Sequence, residues 1–463
     1  MSTERVQNLV IGSGVAGKII AWMLAKNGEK TVCVERSMVG GACPNVACLP
    51  SKNVIYSAKA VSLVSPGTGL GVVTGSLKVD MVAVARRKRQ MVEGLAQMHL
   101  DNFKASGAEL VMGEARFTEP KTVSVTLNAG GTRALRGERV FIGVGTRASL
   151  PPATGLADAR PMTHVEALNL ERLPEHLVIL GGGYVGLEFA QAMRRFGSRV
   201  TVVERGPRLL EREDPDVAQA LLELMRDEGV DVLLQSEVSG VTGQSGSGVT
   251  VRLRSPAGDK SLEASDILVA TGRTPNTDRL DLAKTGVELD ARGYIRVNDR
   301  LQTSAPDVWA AGECAGSPQF THVGEDDARL VLDNLAGGNR TTRDRVIPYC
   351  LFTDPELAHV GMTEAEAKAK GIPYRIVTLP MALVLRMRTL SETRGFMKAL
   401  IGADDRIVGF TSFGAEASEQ MAVVQTAMLG GLRYTALRDA IFTHPTAAEG
   451  LIGLFSNAPS APH

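Results

Sequence analysis

The stretch NLVIGSGVAGKIIAWMLAKNGEKTVCVER, residues 8–36, reads as an apolar strand, a glycine-rich turn, a helix and a second strand that ends at Glu35. The turn has the pattern G-x-G-x-x-G, in which Gly12 permits a tight turn, Gly14 lets a pyrophosphate approach and Gly17 lets the helix pack closely. The helix N-terminus then points its unpaired amide groups at the phosphates, and the acidic residue hydrogen-bonds a ribose hydroxyl. The stretch therefore predicts a βαβ unit that binds a dinucleotide.

The same pattern returns in HLVILGGGYVGLEFAQAMRRFGSRVTVVER, residues 176–205. Its glycines are Gly181, Gly183 and Gly186, and Glu204 follows them at the same spacing as in the first copy. One copy is weak support, but two copies that each lie between a strand and a helix are specific. The alternative is a pair of Rossmann units that bind nothing. We predict an α/β protein with two Rossmann-like dinucleotide-binding domains and a C-terminal α+β domain.

Further stretches indicate the domain boundaries. Residues 139–152 and 266–276 each run a hydrophobic strand into a glycine turn, as expected where the chain leaves a dinucleotide domain. From about residue 341 the pattern changes to short strands and helices, and the last stretch, 456–463, is expected to be disordered. Four segments are predicted: 1–150, the first dinucleotide domain; 151–270, the second; 271–340, a return to the first; and 341–463, the C-terminal domain.

Composition excludes several classes of partner. The 463-residue chain has 51 basic and 51 acidic residues, so no net charge attracts nucleic acid or an anionic membrane. The basic cluster at residues 86–89 is interpreted as a solvated helix face. The first apolar run follows Glu4 and is broken by glycines, and no other run is long enough to span a bilayer. We therefore predict a cytoplasmic protein without nucleic-acid or membrane partners.

The cysteines are too few for a structural disulfide framework, and their number is odd. Cys33 and Cys350 lie in strand-like stretches and are interpreted as buried small residues, and Cys314 is assigned no chemistry. Cys43 and Cys48 stand together in GGACPNVACLPSK. This pair is a redox couple, half of a metal site, or two inert thiols. A zinc site needs a second ligand pair at matching spacing, which the sequence lacks.

Geometry limits how the pair is placed. In an ideal α-helix, residues five apart have Cα atoms about 8.6 Å apart, whereas a disulfide needs less than about 7 Å. A bonded Cys43–Cys48 pair therefore requires an irregular turn, after which Pro50 is accommodated in the first turn of a helix. A thiol at a helix N-terminus is stabilised as the thiolate, and Lys52 adds positive charge nearby.

GGACPNVACLPSK resembles the redox-active segment of the class I FAD-dependent pyridine nucleotide-disulfide oxidoreductases, the family of dihydrolipoamide dehydrogenase, glutathione reductase and mercuric reductase. The resemblance covers nearly the whole chain, because further motifs follow in order: GLEFA, ATGRTPN, AAGE, FTDPELAHVG and HPTAAE. It implies that the first glycine motif binds FAD and the second binds NAD(P)H. It also implies that the segment from about residue 341 is the dimerisation domain of a homodimer.

The resemblance further implies roles for individual residues. Cys48 is the thiol next to the flavin, and Cys43 is the interchange thiol that meets the substrate. Lys52 and Glu188 pair near the flavin N5, and Tyr184 covers the nicotinamide pocket until NAD(P)H displaces it. The motifs and the resemblance together give the cofactor-binding residues Gly12, Gly14, Gly17, Glu35, Arg36, Gly41, Lys52, Gly145, Gly181, Gly183, Tyr184, Gly186, Glu204, Gly272, Arg273 and Glu313.

The terminal HPTAAE motif supplies the proton handling that the resemblance implies. The pKa of His444 suits proton exchange with thiols, and Glu449 orients the ring and stabilises its charge. In the family this pair comes from the other subunit, so a monomer lacks a complete site.

Some positions depart from the family pattern. Ala42 and Ala47 stand where the family commonly has threonine and glycine, and Glu313 replaces an aspartate at the flavin ribityl contact. The C-terminus also lacks the cysteine pair with which mercuric reductases hand over Hg(II).

The predicted activity is electron transfer between NAD(P)H, FAD, the Cys43–Cys48 disulfide and a small disulfide, dithiol or thiol-reactive oxidant. Glu204 favours NADH because a 2′-phosphate would meet a like charge, although Arg205 and Arg208 are close enough in sequence to accommodate NADPH. The alternatives are a flavin-binding redox sensor with little turnover and a metal-ion reductase of the mercuric type. No resident metal site is predicted.

Overall fold

The structure is a computed structural model that describes residues 3–65, 70–73, 75–343 and 345–459. Residues 460–463, which belong to the stretch predicted to be disordered, lie outside the described residues. Across the described ranges, no helix combines the length and apolar character needed to cross a membrane.

The N-terminal part of the chain forms the first Rossmann unit. Its parallel strands lie in the order β3-β2-β1-β5, and β4 pairs antiparallel with both β3 and β5. Leu9 and Val10, which point to opposite faces of β1, are both fully buried, as expected for a parallel sheet covered on both sides. The elements are β1 (Glu4–Ile11), α1 (Val15–Lys26), β2 (Thr31–Glu35), α2 (Ala42–Val46), α3 (Cys48–Val64), α4 (Met81–Ser106), β3 (Glu109–Glu119), β4 (Thr122–Leu127), β5 (Thr132–Ile142) and β6 (Thr146–Ala148).

The middle of the chain forms the second Rossmann unit. Its parallel sheet has the order β13-β7-β8-β9, and β10, β11 and β12 make a separate antiparallel sheet. The elements are α5 (His164–Ala167), β7 (His176–Leu180), α6 (Tyr184–Phe196), β8 (Arg199–Val203), α7 (Pro215–Asp227), β9 (Asp231–Leu233), β10 (Glu237–Gln244), β11 (Gly248–Arg254), β12 (Lys260–Ala264), β13 (Asp266–Val269) and β14 (Arg273–Pro275).

The chain then returns to the first unit. Strand β14 pairs with β6, so the two segments that connect the Rossmann units lie side by side. The next strand pairs in parallel with β5, and the following helix packs on α1. These elements are β15 (Val308–Ala310) and α8 (Thr321–Leu335), with 3₁₀ turns at Leu282–Lys284 and Glu313–Ala315.

The C-terminal part is an antiparallel sheet, in the order β16-β17-β20-β19-β18, covered by helices. It leaves apolar side chains exposed, among them Leu429 at 68% and Ile441 fully. The elements are β16 (Tyr349–Leu351), β17 (Glu356–Gly361), α9 (Glu364–Ala369), β18 (Tyr374–Pro380), α10 (Leu385–Leu390), β19 (Phe396–Gly402), β20 (Ile407–Gly414), α11 (Ala417–Leu429), α12 (Tyr434–Arg438) and α13 (Gly450–Ser456), with a 3₁₀ turn at Met381–Leu383.

Helix α3, which begins at the second cysteine, joins these parts. Val54 and Ala58 of α3 belong to the same hydrophobic core as Leu187 of α6. Leu351 and Phe413 of the C-terminal sheet complete this core. The cysteine pair is therefore anchored where the two Rossmann units and the C-terminal part meet.

Candidate active site

The two glycine turns have the close packing that the motif predicts. A Cβ atom on Gly17 would lie 2.0 Å from the carbonyl oxygen of Gly12, and one on Gly186 would lie 2.1 Å from that of Gly181. No side chain fits at either distance, so each helix approaches its strand through a glycine. Gly12 and Gly181 also have positive φ angles, +95° and +108°.

Both turns fit the pyrophosphate of a dinucleotide. Neither α1 nor α6 has a side chain that caps its N-terminus or an acidic residue in its first turn, so the first amide groups are left for a ligand. A Cβ on Gly183 would meet nothing within 4 Å, which leaves space beside the second turn.

The two predicted ribose acceptors are both held in place. Glu35 accepts hydrogen bonds from the amide and hydroxyl of Ser13, at 2.9 and 2.7 Å. Glu204 accepts from the amides of Gly182 and Gly206, both at 2.7 Å. Glu204 uses one acceptor site on each carboxylate oxygen and therefore retains capacity for a ribose hydroxyl. Glu35 also accepts from the amides of Ser37 and Met38, at 2.8 and 3.1 Å, so its acceptor sites are occupied by the protein, and its contact with a ribose stays a prediction.

The loop that carries the cysteines lies against the first glycine turn. A Cβ on Gly41 would lie 2.5 Å from the Cα of Gly14, and Gly41 has a φ angle of +77°. The following segment is broken as the spacing predicts: α2 ends at Val46, Ala47 has φ −133° and ψ −105°, and α3 begins at Cys48. The prediction that the two cysteines do not share an undistorted helix is confirmed.

Both cysteines are thiols in this structure, and they interact with each other. The hydrogen bond from Cys43 lowers the pKa of Cys48 to about 6, helped by Thr321 and the charge of Lys52 and opposed by burial. The same contact, together with burial, raises the pKa of Cys43. The Cys48 sulfur lies 3.1 Å from the Thr321 hydroxyl. This arrangement places the negative charge of the reduced pair on Cys48.

An ion pair aligns the two helices that begin at the site. The Lys52 Nζ lies 2.9 and 2.8 Å from the two carboxylate oxygens of Glu188, which is buried. Lys52 is one helical turn after Cys48, and Glu188 is one turn after Tyr184. The ion pair therefore brings the N-terminal ends of α3 and α6 together. The predicted pairing is present, and its position at the flavin stays a prediction.

Tyr184 lies between the second glycine turn and the cysteines. Its ring meets Phe320 and Tyr349 edge-on, with centroid distances of 6.4 and 6.1 Å. Phe320 immediately precedes Thr321, which contacts Cys48. These contacts link the start of α6 to the segment that contacts Cys48, and the role of Tyr184 as the cover of the nicotinamide pocket stays a prediction.

Two predicted cofactor contacts bind each other. The Arg273 Nε donates to the Thr146 hydroxyl at 2.6 Å and to the Glu313 carboxylate at 3.2 Å, and Thr146 also donates to Glu313. These contacts join the two segments that cross between the Rossmann units. A direct role of Arg273 or Glu313 at the flavin stays a prediction.

The remaining predicted cofactor residues lie at the surface of the first unit or in the segments that connect it to the second unit. Gly145 and Gly272 have positive φ angles, and a Cβ on either would meet nothing within 4 Å. Arg36 is about half exposed, with its guanidinium 4.0 Å from Glu114.

His444 and Glu449 form the predicted pair on the C-terminal domain. Each carboxylate oxygen of Glu449 lies 3.0 Å from the His444 Nδ1. The His444 side chain is 62% exposed. The ring is therefore accessible to another molecule, and its service to a second subunit stays a prediction.

Sequence reasoning missed a basic pair beside the cysteine loop. The Lys18 Nζ lies 2.5 Å from the His99 Nε2, and both residues are buried. A Cβ on Gly40 would lie 3.0 Å from the His99 ring, which places this ring against the loop. Burial lowers the pKa of Lys18, and attraction to Cys43 opposes that shift. The available signal was a lysine directly after the glycine motif, in an otherwise apolar run.

Comparisons with known proteins agree with this geometry. Residues 6–328 match the family model of pyridine nucleotide-disulphide oxidoreductases, and residues 347–453 match that of their dimerisation domain. The chain is 35% identical over 460 residues to the probable pyridine nucleotide-disulfide oxidoreductase RclA of Escherichia coli (strain K12), covering 98% of this chain and 99% of that protein. It is 34% identical over 448 residues to a mercuric reductase of Acidithiobacillus ferrooxidans, covering 96% and 80%.

A solved structure of a related protein has the same fold as this chain. The Cu(II) complex of the HOCl-induced flavoprotein disulfide reductase RclA from Escherichia coli matches with a TM-score of 0.89 at 35% identity, over 98% of this chain and 99% of that one. The predicted fold class is thereby confirmed. So is the predicted enzyme class, an oxidoreductase that uses FAD, NAD(P)H and a redox disulfide. The chain belongs to the pyridine nucleotide-disulphide oxidoreductase family and carries its dimerisation domain.

Proposed function

We propose that this enzyme takes electrons from NADH and passes them through the Cys43–Cys48 pair to a small disulfide or a thiol-reactive oxidant. The observation that carries the proposal is the asymmetry of the pair. Cys48, at the start of α3 and 3.1 Å from Thr321, has its pKa lowered to about 6, whereas the pKa of Cys43 is raised. Bound FAD supplies a two-electron relay between the nicotinamide and the sulfur atoms.

The pair then divides the work of disulfide exchange. Cys43 loses its proton and attacks one sulfur of the substrate, releasing the first thiol. The Cys48 thiolate attacks the Cys43 sulfur, which closes the internal disulfide and releases the second thiol. Two electrons leave the cysteine pair; one released thiol takes the proton that Cys43 gave up, and the other leaves as a thiolate, which takes its proton from water. Because the pKa of Cys43 is raised, this residue needs a base, whereas Cys48 is already a thiolate.

His444 of a second copy is the proposed base. Glu449 holds the His444 ring through its Nδ1, which leaves the other ring nitrogen to accept the Cys43 proton. Exposed His444 and the exposed apolar residues Leu429 and Ile441 lie on the domain that matches the family's dimerisation domain. A homodimer would cover these apolar side chains and complete the site.

The proposed electron donor is NADH. Glu204 is fixed by two backbone amides at the end of β8, where a 2′-phosphate would meet its negative charge.

We also propose domain boundaries at residues 150, 270 and 340. The pairing of β6 with β14 and of β15 with β5 supports this division, because these strands lie on either side of the second unit in the chain. The cytoplasmic location stays a prediction.

The oxidant class follows from the relatives. RclA of Escherichia coli is described as HOCl-induced and has been solved with Cu(II). We therefore propose disulfides made by reactive chlorine species as the first substrate class. Cu(II) is the second candidate, because a reduced dithiol gives up two electrons as it becomes a disulfide, and two Cu(II) ions accept one electron each.

Turnover of variants tests the proposal. We expect the FAD-loaded protein to oxidise NADH with a small aromatic disulfide, with hypochlorite-oxidised glutathione or with Cu(II), and Cys43→Ser to lose disulfide turnover. Adding NADH under anaerobic conditions should produce a long-wavelength absorbance band from charge transfer between the thiolate and the flavin. Cys350→Ser is the matched control, because Cys350 has a raised pKa and lies outside the pair. Full disulfide turnover in Cys43→Ser would refute the assignment, and negligible wild-type turnover despite bound FAD would favour a sensor.

A further inference from the structure

The ring of Tyr184 is held by a carboxylate from the segment between β8 and α7. The Tyr184 hydroxyl donates a hydrogen bond to the Glu213 Oε1 at 3.0 Å. Glu213 is only 4% exposed. Together with the edge-on contacts to Phe320 and Tyr349, this bond fixes the ring at its hydroxyl end and along its sides.

The same carboxylate has a second phenol beside it. The Tyr349 hydroxyl also interacts with Glu213. Burial raises the pKa of Glu213, and the hydrogen bonds from Tyr349 and Tyr184 oppose that shift. The neighbouring Asp214 binds the buried Lys398 at 2.9 Å, so a positive charge lies close by. Glu213 therefore has one partner at the entrance of the site and others that belong to the C-terminal domain.

These partners allow Tyr184 to be released. A buried carboxylate left without a partner is strongly unfavourable. When Tyr184 moves away, Glu213 keeps the Tyr349 hydroxyl, which is carried on strand β16. The bond to Tyr184 is therefore both strong enough to order the ring and able to break without leaving the carboxylate unpaired.

We propose that Glu213 is the latch of the nicotinamide pocket: it holds Tyr184 closed in the absence of a dinucleotide, and Tyr349 satisfies the carboxylate when the ring swings out. The inference rests on the proposed function, because it takes the second glycine turn as the NADH site. Glu213 is a positioning residue that acts through Tyr184. The pocket that Tyr184 closes takes the nicotinamide end of NADH or NAD⁺, whereas the adenosine end binds away from Tyr184 and Glu213.

A latch has a thermodynamic signature that a structural role lacks. When only an open fraction of the protein binds a ligand, the apparent Kd is the intrinsic Kd divided by that fraction. Weakening the latch raises the open fraction and tightens the binding of NAD⁺. ADP-ribose lacks the nicotinamide ring, so its binding does not require Tyr184 to move.

The experiment compares these two ligands by calorimetry on the oxidised, FAD-loaded enzyme. We expect Glu213→Gln and Tyr184→Phe to bind NAD⁺ about three- to tenfold more tightly than the wild type. Tyr349→Phe should bind NAD⁺ about two- to threefold more weakly, because Glu213 then depends on Tyr184. Glu211→Gln is the matched control: it removes the same charge two residues away, at an exposed position, and should leave the Kd unchanged.

The opposite signs expected for Glu213→Gln and Tyr349→Phe separate a latch from simple destabilisation, which would weaken binding in both. Unchanged ADP-ribose affinity in all variants supports the latch. Equal or weaker NAD⁺ binding in Glu213→Gln, with ADP-ribose unchanged, would overturn the latch and leave the proposed function standing. Failure of the wild type to bind either ligand would overturn the second dinucleotide site, and the latch with it.

Discussion

The two Rossmann units carry the same motif, but their glycine turns differ in what packs against them. In the first unit, the cysteine loop lies against the turn, with a Cβ on Gly41 only 2.5 Å from the Cα of Gly14, and Glu35 is 9% exposed. In the second unit, the space beside Gly183 is open, and Tyr184, directly after the turn, packs against Phe320. From this difference we expect the first site to keep its dinucleotide and the second to exchange it.

The largest effect expected from this comparison comes from paired glycine substitutions. Gly17→Ala and Gly186→Ala create nearly equal clashes, 2.0 and 2.1 Å from a carbonyl oxygen, at equivalent positions. We expect Gly17→Ala to purify without FAD and to be inactive. Gly186→Ala should retain FAD but bind NADH about five- to 150-fold more weakly, since overpacking at such a contact costs about 1–3 kcal/mol.

The control for this pair is Gly94→Ala. Gly94 lies on the exposed side of α4, and a Cβ there would meet nothing within 4 Å. We expect normal flavin absorbance and normal NADH affinity in this variant. Loss of FAD from Gly186→Ala, or its retention in Gly17→Ala, would contradict the assignment of the two sites.

An intermediate effect is expected at the sulfur pair. The pKa of Cys48 is lowered to about 6, so in the reduced protein the thiolate forms as the pH rises through 6. We expect the alkylation rate of Cys48, followed by peptide mass spectrometry, to rise with a midpoint near pH 6. Thr321→Val should raise this midpoint by about one unit, because the thiolate loses a hydroxyl donor. Thr426→Val, on the exposed side of α11, is the control.

The same shift has a consequence for stability. A thiol whose pKa is lower in the folded than in the unfolded protein stabilises the fold above its unfolded pKa, and this contribution is lost as the pH falls through the folded pKa. The reduced protein should therefore gain stability between about pH 6 and the ordinary thiol pKa near 8.5. The oxidised protein should lack this gain. Equal pH profiles for the two forms would contradict the lowered pKa.

The sequence predicted the features that local geometry controls. The glycine turns depend on clashes within one βαβ unit, and the break at Ala47 follows from the spacing of Cys43 and Cys48. The contact between Lys52 and Glu188 was implied by resemblance to the family, and the structure contains it.

The features that sequence reasoning missed depend on segments far apart in the chain. Thr321 reaches Cys48 from a helix 273 positions later, and Arg273 reaches Thr146 across 127 positions. Such contacts depend on how the units pack, which no local pattern records. Arg273 and Glu313 were assigned individually as cofactor contacts, but their mutual bond shows that each also holds the crossing segments together.

The smallest effect expected from the comparison concerns Glu204, the acidic residue that follows the second glycine turn. Glu204 accepts two backbone amides and is partly exposed, so Glu204→Gln keeps an acceptor while losing the negative charge. We expect the NADH KM to rise only a few-fold, because a neutral hydrogen bond replaces a charge-assisted one that is about twice as strong. The NADPH KM should fall, since the like charge facing a 2′-phosphate is gone. Steady-state assays with both nicotinamides measure this ratio, and an unchanged ratio would mean that Arg205 and Arg208, rather than Glu204, set the preference.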